Sequence, residues 1–186
     1  MHEEVILITG ANGEIGHGLI HHLADQKKAI VALDLNPLDD VLQPLVHHWQ
    51  VGDILNFALL EKLFEEYHFS DVFHLASILS SKAEQNPELA HKVNVEGTLN
   101  LLRLAQVQSK RDSVPVKFIY PSSIAVYCLP DLNTKQAAGK VREDQFTTPA
   151  TMYGINKLYC EHLGRYYSKH YKQLANNANP DELLDF

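Results

Sequence analysis

Short apolar runs alternate with amphipathic segments along most of the chain. The apolar runs have the length of strands and predict β-strands over residues 4–9, 29–33, 48–51, 71–75 and 116–120. The run from Val5 to Ile8 has no polar alternation, which is typical of a parallel strand covered on both faces. The order of elements therefore predicts an α/β fold with a doubly wound parallel sheet of the Rossmann-like type.

The amphipathic segments predict helices over residues 14–26, 57–67, about 87–108 and about 151–173. Apolar residues at helical spacing are expected to face inward at these positions: Ile15, Leu19, Ile20, Leu23, Leu60, Leu63, Phe64, Tyr67, Leu89, Val93, Leu101, Leu102 and Ala105. Residues 129–149 show no clear periodicity, and we expect a long loop there.

The last residues of the chain predict a turn followed by the beginning of another strand. Residues 176–180 have the composition of a turn, and apolar residues follow at 183–184, where another strand is due. A complete doubly wound dinucleotide fold has six parallel strands. We therefore expect a chain that is truncated just as its sixth strand begins, before the substrate-binding part. Full turnover by this chain alone is not expected.

Composition narrows the classes of partner. Hydrophobic residues make up 45% of the chain, and the formal net charge of −7 gives no electrostatic reason to expect nucleic acid or an anionic membrane as a partner. No apolar run approaches the length of a membrane span, and the first residues lack the basic segment of a secretory signal, so a cytoplasmic location is expected. The two cysteines and the adjacent histidine pairs match no metal-binding motif, so we expect free thiols and no metal.

Three glycines stand at a spacing of three between the first predicted strand and the first predicted helix: Gly10, Gly13 and Gly16. A side chain at Gly10 or Gly13 would obstruct the close approach of a pyrophosphate, and Gly16 lets the helix pack closely on the strand. The helix N-terminus supplies N–H donors and a positive dipole. A flexible turn would explain the glycines alone, but the strand before them and the helix after them predict a dinucleotide site.

An acidic residue, Asp34, closes the second predicted strand. Its carboxylate can accept hydrogen bonds from the adenosine ribose hydroxyls, whereas a 2′-phosphate would meet a negative charge and no neighbouring arginine. NAD is therefore favoured over NADP, and residues 1–186 are expected to form one NAD-binding domain. Asp53 is placed where the adenine could lie, although a helix-capping or turn aspartate fits its spacing equally well.

The last predicted helix carries Tyr153 and Lys157, whose spacing puts a phenol and an ammonium on one helix face. Tyrosine has a reference pKa of roughly 10 and is a poor base near neutrality unless a nearby cation favours the phenolate. Ser123 follows the fifth predicted strand, and the carboxyl ends of such strands line the ligand crevice. The sequence therefore predicts that Ser123 holds a substrate oxygen near Tyr153.

Six motifs stand at corresponding places of the predicted fold: Thr9-Gly10-x-x-Gly13-x-x-Gly16, Asp53-Ile54, His74-Leu75-Ala76-Ser77, Asn94-Val95-x-Gly97-Thr98, Ser122-Ser123 and Tyr153-x-x-x-Lys157. Together, from residue 5 to about 171, they resemble the extended short-chain dehydrogenases/reductases, the group of nucleotide-sugar epimerases and dehydratases. The resemblance implies catalytic residues Ser123, Tyr153 and Lys157. It also implies an NAD site made by Gly10, Asn12, Gly13, Glu14, Ile15, Gly16, Asp34, Asp53, Ile54, Leu75, Ala76, Ser77, Asn94, Tyr153 and Lys157. Leu75 and Ala76 would also suit a buried strand end, and Asn94 could simply brace a helix.

Within that group, residues 74–81, 86–87, 121–126 and 151–154 are most similar to short-chain L-threonine 3-dehydrogenases. This finer resemblance implies that Tyr153 removes the proton of the threonine β-hydroxyl, that Ser123 orients this oxygen, and that hydride passes from the β-carbon to NAD. The product would be 2-amino-3-ketobutyrate. Residues expected near this small-molecule substrate are Ser77, Leu79, Ser80 and Ser123. Cys128 stands where such proteins usually have glycine, and residues 129–146 are longer than the pattern, so the substrate stays open.

Two alternatives remain at this point. A nucleotide-sugar 4-epimerase or dehydratase would use the same three side chains for its oxidation step. A non-catalytic NAD-binding regulatory module belongs to another class, and it has no need for a phenol, a lysine and a serine to converge on the nicotinamide. A homodimer is compatible with the sequence.

Overall fold

The computed structural model describes residues 4–171 of the chain. Five strands form one parallel sheet: β1 (Val5–Thr9), β2 (Ala29–Asp34), β3 (His48–Val51), β4 (Phe69–His74) and β5 (Lys117–Ile119). Their spatial order is β3-β2-β1-β4-β5. All five strands were predicted near these positions, and the doubly wound parallel fold is confirmed. The predicted turn at 176–180 and the predicted sixth strand lie outside the described residues.

The strand order creates the ligand crevice. From β1 the chain crosses to β2 and β3 on one side, then returns to place β4 and β5 on the other side. Thr9, the last residue of β1, pairs with Leu33 of β2 and with His74 of β4. The crossovers on either side of β1 leave in opposite directions, so a crevice opens at the carboxyl ends of β1 and β4.

The described part of the chain contains seven α-helices. They are α1 (Glu14–Asp25), α2 (Phe57–Glu66), α3 (Ser80–Gln85), α4 (Pro87–His91), α5 (Gly97–Asp112), α6 (Leu132–Ala138) and α7 (Met152–Tyr171). Two of them, α3 and α6, were not predicted, and α6 lies inside the segment expected to be an irregular loop. Both are short, and neither offers enough turns for a hydrophobic period to be read from sequence.

The prediction of one continuous helix over about 87–108 is wrong, because the structure interrupts it. A π-helical turn (Lys92–Glu96) separates α4 from α5, and α5 continues to Asp112. A π turn carries an additional residue and shifts the helical phase. This shift explains why Leu89, expected to face inward, is 45% exposed, while Leu101 and Leu102 beyond the turn are buried.

Two hydrophobic cores flank the sheet. One packs α2, α5 and α7 against it around Leu7, Leu60 and Leu101, and the other packs α1 around Ile8, Ile20 and Ile30. Ile15 was expected in the second core but is 63% exposed, because the first turn of α1 projects beyond the strand ends. None of the helices within residues 4–171 is long and apolar enough to cross a membrane.

Candidate active site

The glycine turn after β1 is built for close approach of backbone. Gly10 has a φ of 70°, and an added Cβ would lie 2.6 Å from the Ala76 nitrogen at the end of β4. A Cβ at Gly16 would lie 2.3 Å from the Ala11 carbonyl oxygen. Gly13 is the N-cap of α1 and has no side chain to accept from the N–H groups of the first turn. The first N–H groups of α1 therefore face the crevice without intrahelical partners, as an anion site requires.

The Asp34 carboxylate is held in place by backbone donors. The Asn12 N–H donates to one of its oxygens at 3.0 Å, and the Asn36 N–H donates to the other at 3.1 Å. The Asn12 side chain donates to the Pro37 carbonyl at 2.8 Å and accepts from the Asp39 N–H at 3.0 Å. Asn12 therefore joins the glycine turn to the loop after β2, and Asp34 lies between them as an oriented hydrogen-bond acceptor.

Asp53 and Ile54, which were predicted to contribute to the cofactor site, follow the end of β3. The Asp53 carboxylate accepts the Leu55 N–H at 2.9 Å, so its turn-forming role is observed, while contact with an adenine stays a prediction. Ile54 is buried, and a Cβ at Gly97 would lie 2.4 Å from its Cδ1. Glu14 and Ile15, the other residues predicted here, are exposed in the first turn of α1.

A buried hydrogen-bonded chain underlies the crevice. The Thr98 hydroxyl donates to the Asn94 carbonyl at 2.6 Å, so it accepts from His74 Nε2 at 2.9 Å. His74 Nδ1 therefore accepts from the Thr9 hydroxyl at 2.7 Å. Burial, helped by the charge of Lys157, lowers the pKa of His74 to about 3, and the imidazole is neutral at physiological pH. The chain fixes the ends of β1 and β4 relative to α5.

Asn94, in the π-helical turn, braces the segment that follows β4. Its side-chain oxygen accepts from the Ile78 N–H at 2.7 Å and from the Ser77 hydroxyl at 3.2 Å, and its amide donates to the Ile78 carbonyl at 3.0 Å. The bracing role considered from the sequence is thus observed. Leu75, Ala76 and Ser77 line the crevice beside Gly10 and are half-buried, whereas Leu79 and Ser80 are exposed at the start of α3.

Ser123 and Tyr153 meet across the crevice. Ser123 caps the 3₁₀ turn (Ile124–Val126), and its hydroxyl accepts the Ala125 N–H at 3.2 Å. Tyr153 is in the first turn of α7, which lies so close to this 3₁₀ turn that a Cβ at Gly154 would be 2.1 Å from the Ala125 carbonyl oxygen. Burial raises the pKa of Tyr153, while hydrogen bonds with Ser123 and Ser77 act in the opposite direction.

Lys157 lies one turn beyond Tyr153 and is 4% exposed. Its Nζ donates to the Pro121 carbonyl at 2.9 Å and lies 4.3 Å from the centre of the Tyr120 ring and 5.6 Å from that of Tyr153. Burial lowers the pKa of Lys157 to about 8. The amine therefore remains mostly protonated at neutral pH, one helical turn from the Tyr153 side chain.

Three contacts around this site involve residues that the sequence reasoning did not select. The Glu84 carboxylate accepts the Met152 N–H at 2.7 Å and so caps α7 from α3. The Ser122 hydroxyl donates to the Glu161 carboxylate, and the Cys160 thiol donates to the Asn94 carbonyl at 3.2 Å. Of these, Glu161 carried a readable signal, since it is four residues beyond Lys157 on the same helix face.

No group of three or more His, Cys, Asp or Glu within residues 4–171 is arranged to hold a metal ion. The parallel sheet, the glycine turn and the acidic residue at the end of β2 define instead a dinucleotide-binding protein of the doubly wound class. The cradle above Gly10 and the oriented Asp34 carboxylate fit the pyrophosphate and ribose of such a ligand.

Residues 6–181 match the model of the NAD dependent epimerase/dehydratase family, and the chain belongs to this family. NAD is accordingly its cofactor, as the sequence predicted. A protein named uncharacterized epimerase/dehydratase from Staphylococcus saprophyticus is 29% identical over 166 residues, which are 87% of this chain and 48% of that protein. The chain thus spans about half the length of the curated relatives it matches.

Several solved structures are similar to this chain in both sequence and fold. A monomeric L-threonine 3-dehydrogenase from a metagenome database is 34% identical with a TM-score of 0.76, covering 89% of this chain and 50% of that chain. The L-threonine 3-dehydrogenase of Trypanosoma brucei is 28% identical with a TM-score of 0.76, covering 91% and 50%. UDP-glucose 4-epimerase from Brucella ovis, in complex with NAD, is 27% identical with a TM-score of 0.76, covering 90% and 49%.

Proposed function

We propose that residues 1–186 form the NAD-binding domain of an oxidoreductase that oxidises a secondary alcohol, with Ser123, Tyr153 and Lys157 as its catalytic residues. The observation that carries the proposal is the close packing of α7 on the segment after β5, where a Cβ at Gly154 would lie 2.1 Å from the Ala125 carbonyl oxygen, so that Tyr153 and Ser123 are neighbours at the carboxyl edge of the sheet. Lys157 lies one helical turn away with its Nζ fixed to the Pro121 carbonyl. A phenol, a hydroxyl and a buried ammonium therefore converge on one place.

The residues that would hold NAD follow the crevice from one end to the other. Backbone at Gly10, Gly13 and Gly16 would receive the pyrophosphate, and Asp34 would accept from the ribose hydroxyls. Asp53 and Ile54 would flank the adenine, Leu75, Ala76 and Asn94 would line the middle of the site, and Tyr153 and Lys157 would contact the nicotinamide ribose. When bound, NAD supplies the hydride acceptor for the oxidation.

Proton removal falls to Tyr153. Its phenolic oxygen would take the proton of the substrate hydroxyl, while the Ser123 hydroxyl holds the substrate oxygen in line. The pKa of Tyr153 is raised by burial, so phenolate formation depends on stabilising contacts. Hydrogen bonds with Ser123 and Ser77 act in that direction, and the Lys157 ammonium, which a pKa of about 8 keeps protonated at neutral pH, would add its positive charge.

L-threonine is the substrate that we propose, with 2-amino-3-ketobutyrate as the product. Several structural neighbours are L-threonine 3-dehydrogenases, one of them 34% identical to this chain. Ser77 interacts with the Tyr153 hydroxyl, and Leu79 and Ser80 follow it at the start of α3, so these three are the residues we expect near the amino acid. A second candidate is a nucleotide-sugar 4-epimerase or dehydratase, because the Brucella ovis UDP-glucose 4-epimerase has the same TM-score as two of the threonine dehydrogenases.

The test uses the full-length protein that contains this chain, incubated with NAD and either L-threonine or UDP-glucose. A dehydrogenase accumulates NADH with threonine, whereas an epimerase returns the hydride and yields UDP-galactose without net NADH. Tyr153→Phe should lower kcat by a factor on the order of 10² to 10⁴ while NAD affinity stays within severalfold. Tyr159→Phe, an exposed tyrosine on the same helix, is the matched control and should leave kcat unchanged.

Full activity in Tyr153→Phe would refute the catalytic assignment. NAD binding without turnover of either substrate class would favour the non-catalytic regulatory module instead.

A further inference from the structure

Two side chains of α7 hold the same short segment beside Ser123. Lys157 donates to the Pro121 carbonyl at 2.9 Å. One helical turn further on, the Glu161 carboxylate accepts a hydrogen bond from the Ser122 hydroxyl. Because Pro121 and Ser122 immediately precede Ser123, both contacts fix the backbone that carries the predicted catalytic hydroxyl. Lys157 already has a proposed role toward the cofactor, whereas Glu161 has none.

We propose that Glu161 is a positioning residue that acts through Ser122 to hold Ser123 within hydrogen-bonding distance of Tyr153. The inference rests on the proposed function only in the roles it gives to Ser123 and Tyr153. The contacts that it uses are those of Ser122, Glu161 and Lys157.

The Glu161 carboxylate is largely buried, so neighbouring groups rather than bulk water must stabilise its charge. Its side chain is 13% exposed, and Arg165 on the next turn approaches it at 3.7 Å, longer than a direct hydrogen bond. An ionised carboxylate can only accept, so the Ser122 hydroxyl must donate, and such charge-assisted bonds are roughly twice as strong as neutral ones. The bond therefore fixes the Ser122 side chain and the peptide that leads into Ser123.

Charge gives Glu161 a second, measurable effect. The groups that face the Lys157 amine are His74 from β4, Tyr120 beyond β5, and Tyr153, Cys160 and Glu161 from α7. Burial lowers the pKa of Lys157, and Glu161 acts in the opposite direction. Removing the charge but not the hydrogen-bond acceptor should therefore lower the pKa of Lys157 below its value of about 8.

Three variants separate the two effects. Glu161→Gln keeps an oxygen acceptor for Ser122 but removes the charge, Ser122→Ala removes the donor but keeps the charge, and Glu161→Ala removes both. Tyrosine and lysine side chains are labelled with ¹³C, and the resonances of Tyr153 and Lys157 are titrated with pH in the chain without cofactor or substrate. Glu61→Gln, at an exposed position of α2, is the control.

In the native chain the interaction with Ser123 lowers the Tyr153 pKa. Loss of the Ser122 bond should weaken this interaction. We therefore expect the Tyr153 pKa to rise in Ser122→Ala and in Glu161→Ala, and the double variant that combines Ser122→Ala with Glu161→Ala to match Glu161→Ala alone. In Glu161→Gln the Lys157 pKa should fall, while the Tyr153 pKa should stay unchanged. In the full-length enzyme, Ser122→Ala should reduce kcat roughly tenfold to a hundredfold with little change in KM.

An unchanged Tyr153 pKa in both Ser122→Ala and Glu161→Ala, in variants that retain their circular dichroism spectrum, would overturn the proposal. So would fully additive effects in the double variant. These titrations need no substrate, so their failure is distinct from failure of the proposed function, which the Tyr153→Phe assay tests separately.

Discussion

The two halves of the crevice are constructed by different means. Around the glycine turn the ligand surface is backbone, and the important positions are those where a side chain is absent, as at Gly10 and Gly16. Around α7 the surface is made of side chains, and the important groups are the Tyr153 phenol, the Ser123 hydroxyl and the Lys157 amine. Substitutions in the first half should therefore act through packing and folding, while those in the second half should act through chemistry.

Adding one methyl group at Gly10 tests this contrast most severely. Gly10→Ala places a Cβ 2.6 Å from backbone of Ala76 in a left-handed conformation that alanine rarely adopts. We expect the free energy of unfolding to fall by about 2–4 kcal/mol, from overpacking and backbone strain together, with NAD affinity lost. Urea denaturation and calorimetric titration with NAD measure the two effects.

Gly18→Ala is the matched control. Gly18 lies in the middle of α1, and an added Cβ would meet no atom of residues 4–171 within 4 Å outside its own helix turns. Alanine should therefore stabilise the helix by about 0.5–1 kcal/mol. Equal stability changes at Gly10 and Gly18 would contradict the interpretation of the turn as a packed cradle.

His74 links the two halves, and its titration gives the next largest effect. The pKa of His74 is about 3 in the folded chain and 6.5 as its ordinary value, so between these pH values only the unfolded chain binds the proton. The neutral imidazole of His74 therefore contributes to the free energy of unfolding at neutral pH. This contribution decreases by about 1.4 kcal/mol per pH unit as the pH falls below 6.5. Urea denaturation between pH 7 and pH 4.5 measures this slope.

His74→Gln removes the titrating group while retaining hydrogen-bonding capacity. The variant should be less stable at pH 7, but its loss of stability on acidification should be smaller than that of the native chain by about the same 1.4 kcal/mol per unit. Parallel pH profiles for the two proteins would show that His74 is not buried as a neutral group.

Asn12 is a side chain that supports the half of the crevice built from backbone, and its loss should have a smaller effect. Asn12→Ala removes the bonds to Pro37 and Asp39, which should destabilise the chain by about 1 kcal/mol and weaken NAD binding severalfold. The control is Asn36→Ala in the same loop, where the contacts to Asp34 and Asn12 are made by the backbone. NAD affinity that responds equally to both substitutions would count against the role of Asn12.

Much of the fold was readable because hydrophobic periodicity reports burial. The strands β1 and β2 are nearly continuous apolar runs, and the amphipathic spacing of α2 placed Leu60, Leu63 and Phe64 correctly in the core. Ile15 and Leu89 were misplaced because spacing gives the phase of a helix but not the point at which the helix extends beyond its sheet or changes phase.

The candidate site was readable wherever the chemistry is local in sequence. Tyr153 and Lys157 share a helix face, and the glycine spacing identifies a turn. The contacts of Glu84 with Met152 and of Ser122 with Glu161 join residues distant in sequence, and no periodicity reports such pairs. The buried chain through Thr9, His74 and Thr98 is of the same kind, although all three residues stood within recognised motifs.

The π-helical turn at Lys92–Glu96 has a consequence for how this region tolerates length changes. Its additional residue sets the angular offset between Asn94, which holds the Ser77–Ile78 backbone, and the core residues of α5. Deleting one residue would restore a regular helix but rotate one end by about 100° relative to the other. The length of this turn is therefore fixed. Inserting or deleting one residue would displace either Asn94, with the segment it holds, or the core residues of α5.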